Sequence, residues 1–168
     1  MIHVCSLAAL PLTVQTTGAS HVLTVMANVA QVQRPASVLA ANHLKVQVDD
    51  ITEQLEGFVV PSERHIEQVL QFVRGWDRGA PLVIHCYAGI SRSTASAFAA
   101  VCALNPDRDE IAIARQIRAA SPIAAPNRLI VSLADKALGR EGRMLRALDE
   151  MGPGTLSTEG RPFRIDLE

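Results

Sequence analysis

Residues 81–104 constrain the fold more than any other stretch of this chain. An apolar run, Pro-Leu-Val-Ile-His, leads into a short loop with one glycine, and the loop opens a segment of small apolar residues from Arg92 to Leu104. A short apolar run with little alternation suits a strand covered on both faces, as in a parallel sheet. The segment from Arg92 onward is apolar all round, which fits a buried helix. A strand, a tight loop and a buried helix in direct succession demand a layered α/β core around them.

The rest of the sequence supplies the partners such a core needs. Ile2 to Ser6 and His21 to Met26 are rich in β-formers and read as strands. Residues 7–17 read as a helix ended by Gly18. His43 to Val48 alternates Leu44, Val46 and Val48 with polar residues, a half-exposed strand, and residues 49–61 break the pattern as an acidic loop. Ser62 can cap a helix over 63–77 whose apolar face is Ile66, Val69, Leu70, Val73 and Trp76. Further helices are predicted over 107–120, 127–138 and 141–151, and Arg140, Arg143 and Arg146 share a helical spacing expected on a solvated face. The expected fold is a three-layer α/β sandwich, with a central, mostly parallel sheet flanked by helices. One domain spans 1–151, and a polar tail covers 152–168. With 168 residues and 48% hydrophobic content, the chain can build one sizeable core.

Composition excludes several function classes. A net charge of -1 gives no basic excess, so no nucleic-acid partner is expected. No apolar run reaches the ~18 residues needed to span a bilayer, so no membrane partner is expected either. Three unpatterned cysteines, Cys5, Cys86 and Cys102, suggest neither a disulfide framework nor a zinc site. They fit a reducing compartment, and the expected location is cytoplasmic. The apolar stretch 4–14 lacks the basic flank and the cleavage site of a signal peptide. His3, His21, His43 and His65 show no metal-ligand spacing, and no metal or organic cofactor is expected.

The loop His85-Cys86-Tyr87-Ala88-Gly89-Ile90-Ser91-Arg92-Ser93 carries the chemistry. Backbone N–H groups at a strand-to-helix turn converge on one point, and the helix dipole adds positive potential there. Such a point attracts a dianionic phosphate and favours Cys86 as a thiolate, the form that acts as nucleophile. Arg92 opens the helix, and its planar fork can grip two phosphate oxygens. Gly89 allows a positive φ or a close backbone approach. Ser93 can donate to the sulfur and help it leave, and His85 is expected to fix the loop by hydrogen bonding. Tyr87 either packs under the loop or lines the pocket mouth. Cys102, well inside the helix, reads as a buried small residue.

The motif His-Cys-x-x-Gly-x-x-Arg-Ser resembles the signature of the protein tyrosine phosphatase superfamily. At this length the chain is similar to the compact dual-specificity branch. The resemblance runs over roughly residues 2–138. It implies a phosphocysteine mechanism in which Cys86 attacks phosphorus and the loop from Tyr87 to Arg92 (a phosphate loop, or P-loop) binds the substrate phosphate. It implies that Asp50, or less favourably Asp49, is the general acid on a mobile loop. It also implies that Asn127, in Pro126-Asn127, supports the active-site loop. The resemblance implies hydrolysis of phosphotyrosine, with phosphoserine and phosphothreonine as further substrates. The uncharged side chains of Tyr87, Ala88, Ile90 and Ser91 favour a phosphoprotein or a simple phosphomonoester over a polyphosphorylated inositol. A small-molecule or RNA 5′-phosphatase on the same fold, and a non-catalytic phosphate-binding module, are the alternatives. Oligomeric state is not legible.

Overall fold

The computed structural model describes residues 1–167. Its strands are β1 (Ile2–Ser6), β2 (His21–Met26), β3 (His43–Gln47), β4 (Leu82–Cys86) and β5 (Phe163–Ile165). Its helices are α1 (Leu10–Thr17), α2 (Glu63–Gly75), α3 (Arg92–Leu104), α4 (Glu110–Ala120), α5 (Arg128–Ala137) and α6 (Arg143–Met151). The sheet order is β3-β2-β4-β1-β5, parallel except for β5, which pairs antiparallel with β1.

Alternation along the strands separates two apolar faces. Ile2 and Val4 of β1, Leu23 and Val25 of β2, and Leu82 and Ile84 of β4 join one core with residues of α2 to α6. Cys5, Val22, Met26 and Val83 face the other way and pack with Leu10 and Val14 of α1. The sheet is thus the middle of three layers, as expected. Helix α3 carries the largest buried set, with Ala95, Phe98, Val101 and Cys102 fully enclosed. Each full-sized aliphatic or aromatic side chain buried this way contributes about 1.5–3 kcal/mol. Burial pushes the Cys102 thiol up to about 12, so it stays protonated.

Three boundaries differ from the sequence reading for local reasons. Helix α1 starts at Leu10 rather than residue 7, because Ser6 Oγ accepts from the Ala9 N–H and closes a turn first. Helix α2 has the expected Ser62 cap, made reciprocal by His65, but stops at Gly75; Trp76 is buried just beyond it, its indole N–H donating to the Ala80 carbonyl at 2.9 Å. The segment read as a polar tail supplies β5, whose Phe163 and Ile165 lie opposite Val4 and Ile2.

The solvated arginine face needs a correction at Arg140. Its side chain is 6% exposed and pairs with Glu110, itself 5% exposed, at 2.7 Å. It also donates to the Cys102 carbonyl at 2.6 Å, tying the end of α5 to α3 and α4. Helical spacing misled here because Arg140 lies outside α6, in the turn before it. Arg143 reaches the same Glu110 from the rim.

Candidate active site

Strand β4 ends at Cys86 and α3 begins at Arg92, so the loop between them, the expected phosphate loop, lies at the carboxyl edge of the parallel sheet, between β2 and β1. That edge is where α/β folds bind ligands. The loop backbone is held from outside by four hydrogen bonds from three separate segments. The Tyr87 carbonyl accepts from Leu7 N–H at 3.1 Å, Ala88 from Gly160 at 2.8 Å, Ile90 from Ala125 at 3.0 Å and Ser91 from Asn127 at 3.3 Å. A planar trans peptide points its N–H opposite to its carbonyl. Carbonyls turned outward therefore turn the following N–H groups inward, and Gly89 N–H donates to Cys86 Sγ at 3.2 Å. Gly89 has φ +73°, and a Cβ there would stand 2.7 Å from the Cys5 carbonyl carbon. Glycine is needed both for the backbone angle and for the close approach to β1.

Cys86 is 2% exposed, and its sulfur lies 3.1 Å from Ser93 Oγ in the first turn of α3. Arg92 Nη1 donates to the Val48 carbonyl at 3.0 Å, which anchors the guanidinium to the chain leaving β3. Arg92 Nε is buried with no hydrogen-bond partner among the described residues, so a strong donor is left over beside the loop. Ala88, Ile90 and Ser91 are partly buried, and Tyr87 is 65% exposed. Tyr87 thus does not pack under the loop.

The two neighbouring acids part company. Asp49 closes its own turn, accepting at Oδ2 from Val59 N–H at 2.7 Å while its N–H donates to the Val59 carbonyl. Asp50 faces the phosphate loop, where its Oδ1 accepts from Ser91 Oγ at 2.7 Å and from Asn127 Nδ2 at 2.8 Å. Asn127 also caps α5 through Oδ1 to Ile130 N–H and donates to the Ile51 carbonyl. One residue thereby fastens three elements: its side chain ties the acidic loop to the start of α5, and its backbone N–H ties both to the 86–92 loop.

His85 lies under the loop on the α1 face of the sheet. Its Nε2 lies 2.7 Å from Thr24 Oγ1, which lies 2.8 Å from His43 Nε2. The main tie is therefore across the sheet to Thr24, with a long 3.4 Å contact from Nδ1 to the Cys86 carbonyl. Burial lowers His85 to about 4, and His43 likewise to about 4, helped by Lys45 and Arg34. Both rings are neutral at pH 7. Thr24 and Gly160 were not legible in advance, because each acts across the sheet or from a distant segment.

The chain matches no protein-family model and no curated protein sequence. Solved structures do match. DUSP15 superposes with a TM-score of 0.64 at 21% identity, covering 92% of this chain and 94% of that one. Human DUSP28 gives 0.63 at 19%, covering 83% and 89%. The human tyrosine phosphatase-like serine/threonine/tyrosine-interacting protein gives 0.61 at 18%, covering 83% and 92%. At this identity the likeness establishes architecture. The chain has the fold of the compact dual-specificity branch of the protein tyrosine phosphatase superfamily.

Proposed function

We propose that this chain is a cysteine-dependent phosphatase that hydrolyses phosphate monoesters through a phosphocysteine intermediate. The carrying observation is the placement of Cys86 Sγ against the Gly89 N–H and Ser93 Oγ, on the loop that ends in Arg92. Inward N–H groups stabilise charge that develops on the transferring phosphoryl group. The unpaired Arg92 Nε is a donor whose burial costs about 1–3 kcal/mol until an oxygen reaches it. A phosphate oxygen would remove that penalty.

In the first step Cys86 sulfur forms a bond to phosphorus as the phosphorus–oxygen bond to the leaving group breaks. Asp50 gives its proton to the departing oxygen. In the second step a water oxygen attacks phosphorus and the sulfur–phosphorus bond breaks. Asp50 takes the water proton, and Ser93 Oγ hydrogen bonds to the departing thiolate. Asp50 suits this work because Ser91 and Asn127 hold it at the rim of the loop, whereas both polar ends of Asp49 are engaged by Val59. Asn127 supports the loop, and His85 braces its strand through Thr24. The substrate class is a phosphorylated protein or small phosphomonoester, with phosphotyrosine the first candidate. The exposed Tyr87 and partly buried Ile90 offer an uncharged rim for an aromatic leaving group.

The test is turnover of an aryl phosphate, a phosphotyrosine peptide, a phosphoserine peptide and 5′-triphosphate RNA by wild type and Cys86→Ser. Turnover of the aryl phosphate and phosphotyrosine peptide by wild type alone is expected. Preferred turnover of the RNA would move the substrate class. Phosphopeptide binding without turnover of any substrate would make the protein a phosphate-binding module.

A further inference from the structure

The segment between α6 and β5 touches the phosphate loop from behind. Gly160 N–H donates to the Ala88 carbonyl at 2.8 Å. That carbonyl shares one planar peptide group with the Gly89 N–H, which donates to Cys86 Sγ at 3.2 Å. A continuous hydrogen-bond chain therefore runs from the C-terminal segment through a single peptide to the sulfur. A donor on the carbonyl polarises the peptide and strengthens its N–H as a donor, and it also fixes the plane.

The contact is closely built. Gly160 is buried, and a Cβ there would stand 2.9 Å from the Gly89 carbonyl oxygen and 3.3 Å from that of Ala88. Next to it, Glu159 Oε1 accepts from Ser6 Oγ at 2.6 Å. Ser6 is the residue opposite Cys86 in the β1–β4 register, so this anchor grips the sheet directly beside the nucleophile. The segment is fastened at both ends: Thr155 N–H donates to the Pro122 carbonyl, and β5 pairs with β1.

We propose that residues 155–162 form a strap that holds the Ala88–Gly89 peptide in the orientation that stabilises the Cys86 thiolate. Gly160 is then a positioning residue, and Glu159 with Ser6 is its anchor. The proposal rests on the reading of Cys86 as the reactive thiolate, but it does not require turnover. The strap makes the C-terminal segment part of the active site, which accounts for a polar stretch packing tightly against a catalytic loop.

The test is the pH profile of Cys86 alkylation by iodoacetamide in the full chain, followed by mass spectrometry of the modified peptide. Gly160→Pro removes the N–H donor and also sets a Cβ 2.9 Å from the Gly89 carbonyl oxygen, so it is read together with Glu159→Ala and Ser6→Ala, which loosen the strap without adding atoms. Losing the cooperative share of one hydrogen bond to sulfur should lower the alkylation rate about threefold at pH values below the profile midpoint. The plateau at high pH, where every thiol is ionised, should stay unchanged. A merely structural role would alter the plateau or the unfolding midpoint instead. Glu159→Ala and Ser6→Ala should each give a smaller loss, about twofold, and the double variant should lose no more than either one. They decide the matter if Gly160→Pro does not fold. Profiles identical to wild type in the folded variants would overturn the strap. A displaced profile in a protein that hydrolyses no phosphate ester would keep the strap and remove the phosphatase reading.

Discussion

Replacing Gly89 with alanine tests whether the phosphate loop is pressed against β1 as tightly as the geometry requires. An added Cβ would lie 2.7 Å from the Cys5 carbonyl carbon, 2.8 Å from Ser6 N and 3.0 Å from the Cys5 carbonyl oxygen. All three are backbone atoms of β1 at residues paired with β4, Cys5 opposite His85 and Ser6 opposite Cys86, so they cannot yield without disturbing that ladder. The positive φ costs about 1–2 kcal/mol for an L-residue, and overpacking adds about 1–3 kcal/mol. The expected destabilisation is about 2–5 kcal/mol, a large share of the ~5–15 kcal/mol typical of a domain. Gly18→Ala is the internal control. Gly18 has φ +67° and nothing within 4 Å, so it should show the conformational part alone, about 1 kcal/mol. Urea unfolding of both variants separates the steric part by difference. In addition, shifting the loop off β1 moves the Gly89 N–H away from Cys86 Sγ. A hydrogen bond to a charged group is worth about 1.5–3 kcal/mol, so kcat/KM on an aryl phosphate should fall roughly 10–100-fold. If Gly89→Ala destabilises no more than Gly18→Ala and keeps full activity, the close approach to β1 has no part in shaping the site.

Three further outcomes follow from the same geometry. Asp50→Asn should slow hydrolysis of an alkyl phosphate by about 10²–10⁴-fold and of a nitrophenyl phosphate far less, because only the poorer leaving group needs the proton; equal losses would place the acid elsewhere. Arg140→Met should cost about 3–5 kcal/mol in urea unfolding, since it leaves Glu110 buried with only the rim contact to Arg143, while adding Glu110→Leu should recover much of the loss. His85 and His43 are held near 4 in the folded protein by burial, against 6.5 when unfolded. The unfolded chain therefore binds more protons between pH 6.5 and 4, so stability is fully present above about 6.5 and falls as pH drops through that window, by about 1.4 kcal/mol per unit for a fully neutral buried ring. His85→Gln should flatten that slope, and an unchanged slope would mean the ring is not buried neutral.

What could be read in advance was what acts locally. The run from Leu82 to Leu104 announced strand, loop and buried helix because apolar patterning and the loop residues are contiguous. Ser62 and Asn127 were legible at helix starts, since capping is a short-range property. The pair Asp49-Asp50 was ambiguous because adjacent side chains in an extended segment point opposite ways. The choice depends on where Val59 and Asn127 arrive from 10 and 77 residues away. Arg140 was misjudged because spacing shows which residues align along a helix, not whether a turn carries one of them into the interior. Strand β5 has only three residues, Phe163–Ile165, and stays invisible until β1 offers an open edge. The Thr24 link between His85 and His43 depends on strand order, which local pattern does not encode.

The central claim is that phosphate passes through the Cys86 sulfur, and rapid acid quench of wild type mixed with excess labelled aryl phosphate addresses it directly. Mass spectrometry of the digested protein should find the phosphoryl group on the peptide containing Cys86, accumulating more in Asp50→Asn and absent from Cys86→Ser. Steady turnover with no phosphoryl group on that peptide, or turnover retained by Cys86→Ser, would contradict the account.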